Sequence, residues 1–293
     1  MRSIIYAALL SASLHVLSAR AGWEYTAQTK AEGGPHSDML GQTVKALVAG
    51  DKAKIEFIES GNPMMSAGSY LLIQGAGKNM VMVKPQDKTF MTWNMSNLMG
   101  LAGGVMGMMN MQVQDPKVEK LLEENGGQLL GYPTKHYRFR TSYTMSMSIM
   151  GMKHTTSTVQ EEDLWVTAAL QEAAFSFQAL QQNLKTGNEQ LDKLVAAQKN
   201  KAEGLPLKTI STHTTRDARG QEQVVKTTMV VTALKSANPA ASAFQVPDGY
   251  QETQMTLPFG GGKNGAGGKK NGGEAPDLKN LLEQLQKAAQ PEQ

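Results

Sequence analysis

Three features of the sequence predict an α+β fold: a long, curved, mostly antiparallel sheet with helices on one side. Residues Ser69–Trp93, SYLLIQGAGKNMVMVKPQDKTFMTW, read as three short consecutive antiparallel strands. From Tyr137 to Ile149 the odd positions Tyr137, Phe139, Thr141, Tyr143, Met145, Met147 and Ile149 alternate with Arg138, Arg140, Ser142, Thr144, Ser146 and Ser148, the period of a strand with one buried and one solvated face. At Ala169 the period changes, and Leu170, Ala173, Phe177, Leu180 and Leu184 fall at helical spacing to about Lys185.

Turn chemistry supports the three-strand reading. Tyr70–Gln74 runs into Gly75-Ala76-Gly77-Lys78, which supplies the positive φ values of a hairpin. Met80–Val83 runs into Lys84-Pro85-Gln86-Asp87-Lys88, where Pro85 pre-sets φ at the first turn position. Thr89–Trp93 then returns. Met80 and Met82 make one face of the middle strand apolar, and Val81 and Val83 the other. An antiparallel sheet normally wets one face, so this meander needs a cover or encloses something greasy.

The N-terminus begins Met1-Arg2-Ser3, continues with a short apolar run and reaches Ala19-Arg20-Ala21. That pattern is a secretory signal peptide cleaved after Ala21, with an apolar stretch too short for a membrane span. The 293 residues contain no Cys, so no disulfide framework is expected. Export without disulfides points to a bacterial periplasmic or secreted protein. The formal net charge of +3 falls when Arg2 and Arg20 leave with residues 1–21, and near-neutrality argues against a nucleic-acid partner.

Along the chain, Trp23–Lys30 reads as a first strand at the sheet edge. Gln42–Ala49 and Lys52–Glu59 form a hairpin about Gly50-Asp51. Residues 94–114, rich in Met and Gly, read as a mobile apolar loop or a short irregular helix. Asp115-Pro116 reads as a helix cap with Pro at the first helical position; Val118, Leu121 and Leu122 form its stripe and Asn125-Gly126 its stop. Thr155–Val166 returns from the 137–149 strand. Leu191, Leu194 and Val195 continue a helical stripe, Leu207–Thr215 and Gln223–Leu234 form another hairpin, and Phe244–Tyr250 a closing strand and turn. The expected domain spans 22–258. A Gly/Lys-rich linker follows over 259–275, then a short amphipathic helix over 276–290 with Leu278, Leu281, Leu282 and Leu285 on one face. Such a helix is marginal alone in water, which favours contact with a membrane surface or an envelope protein.

The chemistry is thin. There is no Gly-x-Ser-x-Gly elbow and no Cys nucleophile, and the His residues hold no fixed spacing; the expectation is a non-enzymatic protein without cofactor. Glu161-Glu162-Asp163 reads as a solvated face. The 19 Met residues are unusual. Met106, Met108, Met109 and Met111 are candidate soft ligands for Cu(I), which makes a periplasmic copper-binding protein one alternative. A closed-core interaction module with no small ligand is another. Met is also an adaptable filler on surfaces that accept greasy partners, and a concave sheet face lined with Met, Phe, Tyr and Val would hold a lipid or other hydrophobic molecule by area removed from water.

The segment Gly77–Met91, GKNMVMVKPQDKTFM, and the closing Phe244-Gln245-Val246-Pro247-Asp248-Gly249-Tyr250 resemble an uncharacterised family of exported bacterial proteins. That family is similar to the periplasmic lipoprotein carriers of the LolA and LppX type. The resemblance implies an open antiparallel half-barrel lidded by helices, a hydrophobic ligand and no catalytic residues. Met80, Met82, Phe90, Phe139, Tyr143, Met145 and Met147 are the expected lining of a carrier or sensor, with the 94–114 loop and the Leu170–Leu184 helix as lid.

Overall fold

A computed structural model describes residues 22–35, 37–75, 77–94, 110–149, 152–171, 173–174, 189–199 and 202–253. The expected signal peptide, linker and C-terminal helix lie outside these residues, as do 95–109 of the loop and 175–185 of the first helical stretch. The sheet belongs to a unit that ends at Glu252.

One large, open, mostly antiparallel sheet organises the fold. Its strands are β1 (Gly22–Glu32), β2 (Gln42–Ala49), β3 (Lys52–Ser60), β4 (Tyr70–Gln74), β5 (Asn79–Lys84), β6 (Thr89–Asn94), β7 (Gln112–Leu129), β8 (Tyr132–Ile149), β9 (Met152–Thr167), β10 (Leu205–Asp217), β11 (Glu222–Ala237) and β12 (Gln251–Glu252). Their order is β12-β6-β5-β4-β3-β2-β1-β11-β10-β9-β8-β7. Two sequence-local meanders, β2–β6 and β7–β11, are thus joined through β1. The strand expected at the edge lies inside the sheet: Tyr25 pairs with Ala46 of β2 and with Leu234 of β11.

The hairpins read from turn residues are all present. Gly50, at φ 60°, turns β2 into β3, and Gly75 and Gly77, at 58° and 82°, turn β4 into β5. The Lys88 N–H closes the Pro85 turn on the Pro85 carbonyl at 3.2 Å.

The expected 115–126 helix is instead most of β7, an edge strand with three irregularities, at Gln114/Lys117, Lys120/Leu122 and Asn125/Gln128. The supposed cap Asp115-Pro116, the stripe residue Leu121 and the stop at Gly126 fall in these bulges, whereas Val118 and Leu122 pair with Thr141 and Arg138. Asp115 takes φ 51°, beside Pro116, whose missing N–H costs nothing outside the ladder. Leu121 is the extra residue of the second bulge and is 44% exposed. Each extra residue shifts the alternation by one position, which turns a strand pattern into an apparent helical stripe. The β7 edge carries the pairs Lys117–Glu119, Lys120–Glu123 and Lys135–Glu123, at 2.7, 2.6 and 3.0 Å, charges that deter pairing with another chain.

The expected helical cover is corrected as well. Among the described residues the one α-helix is α1 (Glu189–Lys199), with Leu194 buried, near β7. Leu170, Ala173 and Ala174, in a short turn after β9, are buried against the core. Among the described residues the sheet is not covered by helices.

Candidate functional site

Register defines one apolar face across seven strands. Met91, Met82, Leu71, Ile55, Ala46, Tyr25 and Leu234 lie side by side from β6 to β11. A parallel row runs Trp93, Met80, Ile73, Ala53, Val48 and Trp23. Successive residues point to opposite faces, so each strand contributes every second side chain. Met80 and Met82 are 3% and 2% exposed in the resulting core, with Leu205, Leu207 and Val231.

Phe90 does not join them. It pairs with Val83, and that register places it on the opposite face. There Tyr70, Leu72 and Val83 form a second cluster with Val81, Phe90, Val246 and Tyr250. The doubly apolar meander therefore has a cover on its second side. The chain crosses it through a short 3-10 turn, Ala241–Phe244, and then pairs β12 parallel to β6, Gln251 opposite Thr89 and Glu252 opposite Phe90. The Gln74 side chain fixes this strap by donating to the Phe244 carbonyl at 2.6 Å. The expected closing strand at 244–250 is this strap, with its two paired residues just beyond.

On the long strands the first face changes character. Phe139 is buried, whereas Tyr143, Met145 and Met147 are half-buried. They share their face with Leu164 and Met229, and with hydroxyl and amide residues: Thr141, Thr158, Gln160, Ser211 and Thr215. Gln160 donates to Ser211 at 3.1 Å. The candidate lining thus splits three ways. Met80 and Met82 are closed into the core, Phe139 to Met147 border a half-open Thr-rich surface, and Phe90 lies on the far side.

Two arrangements were missed in the sequence. The Trp93 indole Nε1 is buried with no hydrogen-bond partner, the one such side-chain atom among the described residues. Its signal is a Trp sharing its parity with Met91 at the end of an apolar strand. The second is on the outer face of the long strands. His136 stacks on Trp165 with ring centroids 4.2 Å apart. Lys208, from the strand on the other side of β9, lies 4.4 Å from the Trp165 centroid. The His136 Nδ1 lies 2.9 Å from Glu124 and its Nε2 2.7 Å from Asp163. Arg138 donates to Asp163 at 2.9 Å, which pushes the guanidinium pKa further up, and Arg140 pairs with Glu161. The run expected as one solvated face is divided: the Glu161 side chain stays 44% exposed, whereas that of Asp163 is 18% exposed between His136 and Arg138. Glu162 takes the other face, opposite Phe139 and Ser211.

A cleft of about 540 Å³ lies at the ends of β1–β3, lined by polar residues such as Thr29, Lys30, Asp38, Gln42 and Glu59. None of the expected lining residues borders it. Of the candidate copper ligands, Met106, Met108 and Met109 lie outside the described residues, and Met111 precedes β7. No cluster of His, Asp and Glu suited to a metal occurs among the described residues.

No curated protein matches the chain. A solved structure of PNGF-II is similar at 14% identity and a TM-score of 0.32, over 80% of this chain and 31% of that one. The chain spans under a third of that protein's length, and likeness of this degree fixes neither fold nor activity. The profile of a domain of unknown function matches residues 37–250, from just before β2 to the end of the strap. The chain belongs to that family, DUF4412.

Proposed function

We propose that this is an exported cell-envelope protein that binds a lipid or other hydrophobic molecule on the first face of its sheet, as a non-enzymatic carrier or sensor. The observation that carries the reading is the first face of an open sheet, apolar and closed at Met80 and Met82 and passing into a Thr-rich surface on which Tyr143, Met145 and Met147 are only half-buried. A face left open beside a packed core offers apolar area without requiring placed polar groups. Flexible Met side chains fit acyl chains of varied shape. A concave, half-barrel curvature of the sheet belongs to the same proposal.

Native mass spectrometry of the mature protein, purified without detergent from a bacterial periplasm, tests it. The expected spectrum carries added mass in the lipid range that organic extraction removes. A bare polypeptide that also fails to bind a fluorescent fatty-acid probe would reject the proposal, and added mass matching copper would replace it with the Met-ligand alternative.

A further inference from the structure

His136 is buried and has a carboxylate at each ring nitrogen. Its Nδ1 lies 2.9 Å from Glu124 Oε1 on β7, and its Nε2 lies 2.7 Å from Asp163 Oδ1 on β9. A neutral imidazole has one N–H and one bare lone pair, so it donates to only one of them. The other nitrogen then sets its lone pair against a carboxylate oxygen. Only the doubly protonated ring donates to both, and both bonds are then charge-assisted. The ring is kept in this plane by Trp165, on which it stacks with an interplanar angle of 6°. The remaining charged groups stand one contact away: Arg138 of β8 shares Asp163, and Lys208 of β10 lies over the Trp165 ring.

The two carboxylates are unequal. Asp163 is the more buried and is also held by Arg138, whereas the Glu124 side chain is 54% exposed. A ring with a single proton therefore keeps it at Nε2, and Nδ1 presents its lone pair to Glu124, which is free to turn into water. The strand that carries Glu124 is easily loosened. It lies at the edge of the sheet with β8 as its one neighbour, and bulges interrupt it on both sides of Glu124, at Lys120/Leu122 and Asn125/Gln128.

We infer that His136 is a proton-operated latch on this edge: its imidazolium ties Glu124 of β7 to Asp163 of β9 across β8, and loss of the ring proton releases β7 between its second and third bulges. The tie is complete while the ring is protonated and both carboxylates are ionised. It is lost as pH rises through the titration of the ring. The latch is independent of the lipid-binding reading above.

Amide hydrogen exchange on the full mature chain, at about pH 5 and about pH 8, tests it. Rates are read as protection factors, which remove the intrinsic pH dependence of exchange. Residues 122–125 should lose protection about threefold to tenfold at the higher pH relative to β2 and β3, the worth of one partly solvated charged hydrogen bond. Glu124→Gln should abolish this step and keep residues 122–125 protected at both pH values, because an amide accepts from a protonated Nδ1 and donates to a bare one. His136→Phe, which retains a ring against Trp165, should show the lower protection at both. A wild type equally protected at both pH values overturns the latch. So does Glu124→Gln that keeps the wild-type step, since the sensing group would then lie elsewhere.

Discussion

The Gln74 side-chain amide donates a 2.6 Å hydrogen bond to the backbone carbonyl of Phe244, across 170 residues of sequence. It joins the end of β4 to the start of the strap that covers Leu72 and Val83. Removing it in Gln74→Ala should cost about 1 kcal/mol. Leu72, fully buried beneath the strap, should cost about 2–5 kcal/mol as Leu72→Ala. Urea unfolding of both variants measures the strap; a Leu72→Ala loss near zero would show that the second cluster does not hold the meander.

Tyr70 lies in the same cluster, and burial, then Tyr250 and Glu56, push its phenol above the usual value of 10.0. A raised folded-state pKa means that the folded protein holds the proton more tightly, so this contribution is complete below pH 10 and is lost as pH rises through the folded value. Stability should therefore fall more steeply above pH 10 in the wild type than in Tyr70→Phe. Equal alkaline slopes in thermal melts would remove Tyr70 as the cause.

Glu24 of β1 reaches Lys235 of β11 at 3.0 Å and Lys45 of β2 at 3.2 Å. The hydrogen bond from Lys235, followed by that from Lys45, holds its carboxyl below the usual 4.5. With the folded pKa depressed, the stabilisation is present above 4.5 and is lost as pH falls through the folded value. The pair is partly solvated, so Glu24→Gln should cost under about 1 kcal/mol at neutral pH. That difference should shrink in chemical denaturation as pH falls below 4.5 and through the folded value.

A Cβ added at Gly126 would lie 2.7 Å from the Thr134 hydroxyl, 2.9 Å from the Trp165 ring and 3.0 Å from the His136 nitrogen. Gly126→Ala should therefore displace the third bulge of β7 and cost about 1–3 kcal/mol. The His136–Trp165 stack should loosen with it, read as a shift of the His136 ring proton resonances.

The strand assignment of β7 separates from the helix reading at Leu121. In a helix this residue would belong to the buried stripe; in the bulge it is 44% exposed. Leu121→Ser should change stability by no more than about 0.5 kcal/mol, whereas Val113→Ala, at a buried position of the same strand, should cost about 1–3 kcal/mol. A large loss at Leu121 would contradict the bulge.

The hairpins were legible because each pairs a turn signal with clean alternation, as Gly50-Asp51 does between β2 and β3 and Pro85 between β5 and β6. β7 was not legible because its bulges insert residues that no local period announces. The seam between β1 and β11 was hidden for another reason: Tyr25 and Leu234 carry no mark of each other in the sequence. Of the expected lining, Met80 and Met82 were correctly placed together by period two. Phe90 was set on the wrong side of the meander because facing follows from the register of Val83 with Phe90, and that register depends on the turn between them. Trp93 escaped notice because an unmatched donor is a property of its surroundings in space.

The seam also sets an order of events. Within each meander a strand pairs with the next one along the chain, through short loops except where residues 168–204 separate β9 from β10. β1 is different: it emerges first during synthesis, yet its partner β11 lies some 200 residues later, where Thr232 reaches the Thr26 carbonyl across a separation of 206 residues. Closing that loop is the slow, entropically costly step, and until it closes each meander presents an unpaired inner edge. The protein is therefore most vulnerable to intermolecular strand pairing just before β11 zips onto β1, when nearly every local contact has already been made.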